Sequence, residues 1–183
     1  KIIISSDKDF FQLCDDKTII YRPTQKEILN KYSITEKYGI HPNNFALARA
    51  IVGDPSDNLK GIRGAGLKTI SKRFSFMGEE TDYLLEDILE CCNGVEKPLL
   101  IHKRILNNVG LIKKNYSLMQ LYSPSLSPTV KSRVNYILEN MEMNFNLTEM
   151  RKMMVIDGFG EWDNSDLTIA MRKVVASSSK DVK

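Results

Sequence analysis

Four aspartates in two short segments are the residues best placed to do chemistry in this chain. Asp7 and Asp9 stand in Ser-Ser-Asp-Lys-Asp-Phe, directly after Ile2, Ile3 and Ile4. Asp54 and Asp57 stand in Gly-Asp-Pro-Ser-Asp-Asn. Two carboxylates so closely spaced can turn toward one ion, and hard cations such as Mg²⁺ prefer oxygen ligands. Either pair alone also fits an ordinary turn, where aspartate accepts hydrogen bonds from nearby backbone. Carboxylates within about 4 Å of each other repel by roughly 4 kcal/mol at an effective dielectric of about 20. A cluster of both pairs therefore calls for shared cations. Two divalent ions held this way would clamp a scissile phosphate, activate water and neutralise the leaving oxygen, so phosphodiester hydrolysis is the chemistry predicted.

A third segment, Gly61-Ile62-Arg63-Gly64-Ala65-Gly66-Leu67-Lys68-Thr69, follows closely. Its glycines allow tight turning and close backbone approach. Amides at the start of a following helix are oriented to hold a phosphate. Lys60, Arg63, Lys68, Lys72 and Arg73 add five basic charges, with no acid among residues 60–73. The pattern resembles the hairpin of a helix–hairpin–helix motif, which grips a DNA backbone without reading bases. A glycine loop before a solvated basic helix face is the plainer alternative.

The elements that must position these residues are strands first and helices after. The isoleucine run reads as a buried parallel strand ending at Ser5, which puts Asp7 and Asp9 at a strand's carboxyl end, where open α/β sheets hold ligands. Residues 10–13 read as a short helix and 18–21 as a second strand stopped by Pro23. Residues 25–32 and 35–38 read as helical pieces. A helix over 45–52, capped by Asn43 or Asn44 and closed by Gly53, leads into the second aspartate pair. Further helices are expected through Phe74, over 81–92 with Leu84, Leu85, Ile88, Leu89 and Cys92 on one face, and over 98–108. Others are expected over 130–141, from Asn146 to Gly158, and from a Ser165 cap to about 176. The domain reading is a sheet end at 1–40, a DNA-binding region at 41–75, a helical region at 76–176 and a polar tail at 177–183.

The 183 residues carry 26 basic and 23 acidic side chains, a net charge of +3, with 42% apolar and 27% charged residues. This composition excludes a disordered chain and a polycationic tail protein. Three cysteines, two of them adjacent, make neither a disulfide framework nor a zinc site, so reduced thiols are expected. No apolar run is long enough to span a bilayer. The chain opens on Lys1 within an apolar run, and is expected to be part of a longer polypeptide.

The first and second aspartate motifs, with the glycine segment behind them, together resemble the 5′-nuclease (flap endonuclease) superfamily, with phage-type ribonuclease H and 5′-3′ exonuclease as the nearest pattern. The likeness is specific over residues 1 to 73 and looser beyond. It implies an α/β fold, mostly helical in this chain, with the last strands of a mixed sheet followed by a helix–hairpin–helix, SAM-fold-like region. It implies divalent-metal-dependent hydrolysis of RNA primers or 5′ flaps on duplex DNA during replication. Asp7, Asp9, Asp54 and Asp57 match the superfamily's metal-binding aspartates. Lys60, Gly61, Arg63, Gly64, Gly66, Lys68, Thr69 and Lys72 match its duplex-binding hairpin. The implied cofactors are two Mg²⁺ ions, with Mn²⁺ as substitute and K⁺ at the hairpin as a further ion. The implied partners are duplex DNA or an RNA–DNA hybrid with a 5′ end or flap, and also an amino-terminal half or a single-stranded-DNA-binding protein. No membrane is expected, and the location implied is cytoplasmic, in the host if phage-encoded. The superfamily's amino-terminal acidic residues and helical arch have no match here, so this chain alone is expected to be inactive. The alternatives are a non-catalytic helix–hairpin–helix module and one half of a split nuclease.

Weaker features have bland readings. The acidic residues between Glu79 and Glu90 read as a solvated helix face. His41 reads as a surface or capping residue. His102, Lys103, Arg104, Lys113 and Lys114 form a second basic patch able to meet phosphates. Met141, Met143, Met150, Met153, Met154 and Phe145 are expected to pack a core, and Phe159 and Trp162 to join the last helices.

Overall fold

A computed structural model describes residues 1–123, 126–141, 146–159 and 165–178. The chain divides into two compact units, Lys1–Ser125 and Leu126–Lys183.

The first unit begins with β1 (Ile2–Ile4), a 3₁₀ turn at Lys8–Leu13, β2 (Ile19–Arg22) and β3 (Glu27–Leu29). β1 pairs parallel with β2, Ile3 opposite Ile20, and β2 pairs antiparallel with β3, Tyr21 opposite Ile28. The mixed sheet is as expected, but β1 is not buried. Ile2 is 66% and Ile4 70% exposed, and only Ile3 turns toward the core. The helix expected over 25–32 is instead the return strand of a hairpin. Lys26 takes a left-handed conformation at φ 53°, the chain reverses after Pro23, and Ile28 and Leu29 alternate out and in with the strand period. Asn30 then opens α1 (Lys31–Tyr38), where Asn30 and Ser33 cap each other's backbone amides.

α2 (Pro42–Val52) is buried almost all round, which suits its Phe-Ala-Leu-Ala-Arg-Ala-Ile sequence and places it at the centre of the unit. Phe11 and Tyr38 each meet its Phe45 edge to face and lie tilted to one another, with ring centroids 5.2–5.6 Å apart. Its cap is His41, whose Nδ1 accepts from the Asn43 amide; neither Asn43 nor Asn44 serves. Pro42 takes the first helical position, which favours a start three residues earlier than expected. His41 is buried, so it caps as expected but is no surface residue. Asn44, freed from capping, is fully buried and donates to the carbonyls of Met77, Glu79 and Thr81 while accepting from the Tyr83 amide.

α3 (Leu67–Arg73), α4 (Leu85–Gly94), α5 (Leu100–Leu106) and α6 (Val109–Met119) complete the unit. The face expected on α4 is right at Leu85, Ile88 and Cys92, but Leu84 precedes the helix and is exposed. α6 was not expected. Asn107, Asn108 and Gly110 read as a helix end, and they do break α5, but a new helix starts at once and packs on α2. His102 is a core residue packed on Phe74 rather than part of a basic patch. All three cysteines are free.

The second unit carries α7 (Pro128–Asn140), α8 (Leu147–Ile156) and α9 (Ser165–Ser178). Ser127 and Asn146 cap the first two, and Gly158 at φ 76° follows the end of α8. α9 starts at Ser165 itself, which is therefore not its cap, and runs past the expected end to Ser178. Of the methionines expected to pack a core, Met150 and Met154 are half-buried, whereas Met141 is 57% and Met153 63% exposed. Phe159, expected to join the last helices, is exposed. Met143, Phe145, Trp162 and residues 179–183 lie outside the described residues.

One backbone contact fixes the loop that follows α2. Gly53 sits at φ 77°, and a Cβ there would lie 2.3 Å from the Gly61 nitrogen; a Cβ on Gly61 would lie 1.7 Å from the Val52 carbonyl oxygen. Both partners are main chain and cannot swing aside. Gly61→Ala is expected to destabilise the protein by about 3 kcal/mol, measured as a shift of the denaturant midpoint. Gly94→Ala, in open space within a helix, is expected to lose nothing.

Candidate metal and nucleic-acid site

The 3₁₀ turn after β1 and the loop after α2 meet at one cleft. Asp7 is the cap of the 3₁₀ turn, its Oδ1 accepting from the Asp9 amide at 2.9 Å. That turn directs Asp9 toward the end of α2. The Asp54 loop closes as a small hairpin in which the Asp54 and Leu59 backbones exchange two hydrogen bonds of 2.8 Å. The Gly53–Gly61 contact seals its base.

Carboxylate oxygens of Asp9, Asp54 and Asp57 lie within 4.8 Å of one another. Asp7 lines the same open cleft of about 310 Å³, together with Ser6, Lys8, Arg49, Asp54, Ser56 and Asp57. Three of the four expected aspartates thus converge and the fourth stands at their rim. The donor set, all hard oxygen, fits a divalent cation of the Mg²⁺ or Mn²⁺ class.

Arg49 is the site residue that the sequence reading missed. Its side chain is 10% exposed, and its Nε donates to Asp9 Oδ1 at 2.9 Å. Its Nη2 also pairs with Asp54 Oδ2. A buried guanidinium on an otherwise apolar helix must find acids. That was the available signal: an arginine five residues before Asp54, within a run of alanines and isoleucine. Ser56 completes the Asp54 shell, donating from its amide (2.9 Å) and hydroxyl (2.6 Å) to Oδ1.

The two acids that share Arg49 titrate in opposite directions. Burial pushes Asp9 above the usual carboxylate range, against the pull of Arg49 and with help from Asp7 and Asp54. Burial also lifts Asp54, but the Ser56 hydroxyl and amide, with Arg49, outweigh it and hold that carboxyl low. Burial opposes the charge of Arg49, and the two carboxylates more than restore it.

The expected backbone-binding residues form a separate stretch of the same unit. Lys60, Arg63, Lys68 and Lys72 are exposed. The tight turn is at Gly64, φ 84°, and Gly66 is the cap residue of α3, with no side-chain cap bond. Thr69 is half-buried within α3. Gly61 is not in this turn; it is spent on the Gly53 contact. Arg104 Nη1 donates to the Arg63 carbonyl at 2.7 Å, so one member of the second basic patch props the turn from α5. Lys103, Lys113 and Lys114 are exposed.

This arrangement of strands, helices and acidic cleft is a 5′-nuclease fold. Over 64% of this chain and 46% of theirs, the structure matches phage T5 5′-exonuclease at a TM-score of 0.52 and 22% identity. Further solved structures of that protein, matching at TM-scores of 0.52 and 0.51, hold divalent metal ions (zinc), and DNA with metal ions. In sequence the chain is 30% identical over 155 residues to a 5′-3′ exonuclease of Buchnera aphidicola, covering 83% of this chain and 50% of that protein. It is 35% identical over 103 residues to the thermostable DNA polymerase I of Thermus thermophilus, covering 56% of this chain and 12% of the polymerase. The chain therefore spans half the length of the first relative and a small part of the second. No protein-family model matches it. The resemblance to the 5′-nuclease superfamily is borne out by these relatives, and the mostly helical fold with a small mixed sheet by the structure. No described helix is long and apolar enough to cross a membrane.

Arg49→Met removes the cation between Asp9 and Asp54. It is expected to lower stability at pH 7 by about 3 kcal/mol, since two half-buried carboxylates lose their partner. The sign with pH follows from Asp54. Its folded-state carboxyl is held low, so its contribution is present above the ordinary value of 3.8 and is lost as pH falls through the folded value. The deficit of Arg49→Met should therefore shrink toward acid pH. Denaturant unfolding of both proteins across that range measures it.

Proposed function

We propose that this chain supplies part of the catalytic centre and the duplex-binding surface of a divalent-metal-dependent 5′-3′ nuclease, acting on RNA primers or 5′ flaps. One observation carries the reading: aspartates from two segments some 45 residues apart converge within 4.8 Å, with Asp54 and Asp57 lining an open cleft and Asp9 half-buried beside them. Asp7 and Asp54 also close local turns, which is what a binding module without chemistry would need. Local turns do not account for bringing Asp9 to Asp54 and Asp57.

Asp9, Asp54 and Asp57 would hold the metal, with Asp7 at the rim for a second ion. A bound Mg²⁺ supplies charge for the scissile phosphate and an activated water. Arg49 orients Asp9 and Asp54 and lowers the charge of the cluster, so the acids can stand ready without flying apart. The nucleic acid would run along the Arg63–Gly64 turn and the start of α3, where Lys60, Arg63, Lys68 and Lys72 meet phosphates and Gly66 lets the backbone approach. This is the part that the helix–hairpin–helix reading assigns to residues 41–75, with K⁺ at the turn.

In the nuclease at full length, Asp54→Asn and Asp57→Asn are each expected to lower Mg²⁺-dependent cleavage of a 5′-flap substrate by about a hundredfold or more. Duplex binding should change little. Undiminished cleavage by both variants would overturn the metal assignment. Binding of this chain to duplex DNA should weaken about a hundredfold between about 50 and about 200 mM salt, as roughly four phosphate contacts require. Lys68→Ala should weaken it equally on all sequences and reduce the salt slope by about one. Salt-independent binding would remove the backbone-clamp reading.

A further inference from the structure

Two buried side-chain amides link both carboxylate segments to α6. Asn115, in α6, is 2% exposed and spends both Nδ2 hydrogens on main-chain carbonyls, those of Ala50 (3.0 Å) and Lys60 (2.9 Å). Ala50 lies four residues before Asp54 and Lys60 three residues after Asp57. One amide therefore closes both ends of the loop that carries the second aspartate pair. Gln12 is 1% exposed and does the matching work on the first pair. Its Nε2 donates to the Asp9 carbonyl (2.7 Å) and to the Met119 carbonyl at the end of α6 (3.0 Å), and its Oε1 accepts from the Leu121 amide (2.8 Å).

We propose that α6 is the ruler of the metal site, and that Asn115 and Gln12 are positioning residues that set the separation of Asp9 from Asp54 and Asp57. The inference rests on the metal reading above but concerns residues that touch neither ion nor substrate. The physical case is one of rigidity. One carboxylate segment is a short 3₁₀ turn and the other a loop, and neither holds geometry well by itself. Metal affinity depends on oxygens held in place before the ion arrives, and outer partners of ligands set that placement. An amide fits the task because it carries two donors on a planar nitrogen and can bind two carbonyls at once. Both amides are buried, so water cannot substitute for a lost bond, and a carbonyl left without its donor is strongly disfavoured. The two anchors, Asn115 and the Met119 carbonyl, lie four residues or one turn apart in the second half of α6, so the distance between the carboxylate segments is tied to one short rigid span.

The test uses the full chain and two readouts. In the first, Mn²⁺ binding is followed by electron paramagnetic resonance for the unsubstituted protein, Asn115→Ala, Gln12→Ala and Ile112→Val. Ile112 is fully buried in the same helix and makes no side-chain hydrogen bond, so its variant reports a simple loss of packing. Folding of each is checked by circular dichroism and melting. Both amide variants should bind Mn²⁺ about tenfold more weakly or worse, and Ile112→Val should bind like the unsubstituted protein. Binding within twofold in the amide variants, or an equal loss in Ile112→Val, would overturn the proposal. The second readout needs no metal. Amide exchange at Asp54 and Leu59, which bond to each other across the loop, should speed up about tenfold or more in Asn115→Ala while Ile20 in the sheet is unchanged. Unchanged exchange at those two amides would also overturn it. A protein that binds no Mn²⁺ in any form would refute the metal reading alone, and the exchange arm would still decide the role of Asn115. Because Gln12→Ala repeats the comparison from the other segment, the result does not hang on the folding of one variant.

Discussion

Like charges pressed together govern this molecule. Three carboxylates within 4.8 Å repel and would push their two segments apart, and several parts of the surrounding structure answer that repulsion. Arg49 offsets charge from below. Ser56 soaks up one oxygen of Asp54 with two donors. The glycine pair Gly53 and Gly61 locks main chain against main chain where a side chain would have left slack. These devices differ chemically but act on one problem.

The carboxylate motifs were legible because they are short and local. Asp7 and Asp9 follow a strand, Asp54 and Asp57 follow a helix, and both placements could be read from a dozen residues. What was not legible was the long-range part. Nothing near Asn115 in sequence says that it will reach Ala50 and Lys60, since such a bond depends on how α6 packs on α2. α6 carries a weak local signal, since asparagines and a glycine stand at its start and its apolar face shows only in the packing on α2. Arg49 is a lone charge among apolar residues, and its own helix does not name the two acids it reaches.

The strand errors have a similar cause. Ile2 to Ile4 looked like a core strand because three β-branched residues in a row suit burial on both faces. Burial, however, belongs to the neighbours and not to the strand. Residues 25–32 read as helix, and Gln, Lys, Glu and Leu do favour one; pairing of Glu27–Leu29 with β2 decides otherwise.

The main-chain contact of Gly53 with Gly61 narrows what can vary around the site. A Cβ at either position would meet backbone rather than a side chain, so no substitution of a neighbouring side chain can make room for it. Sequence change in this loop is therefore confined to positions that leave the contact untouched.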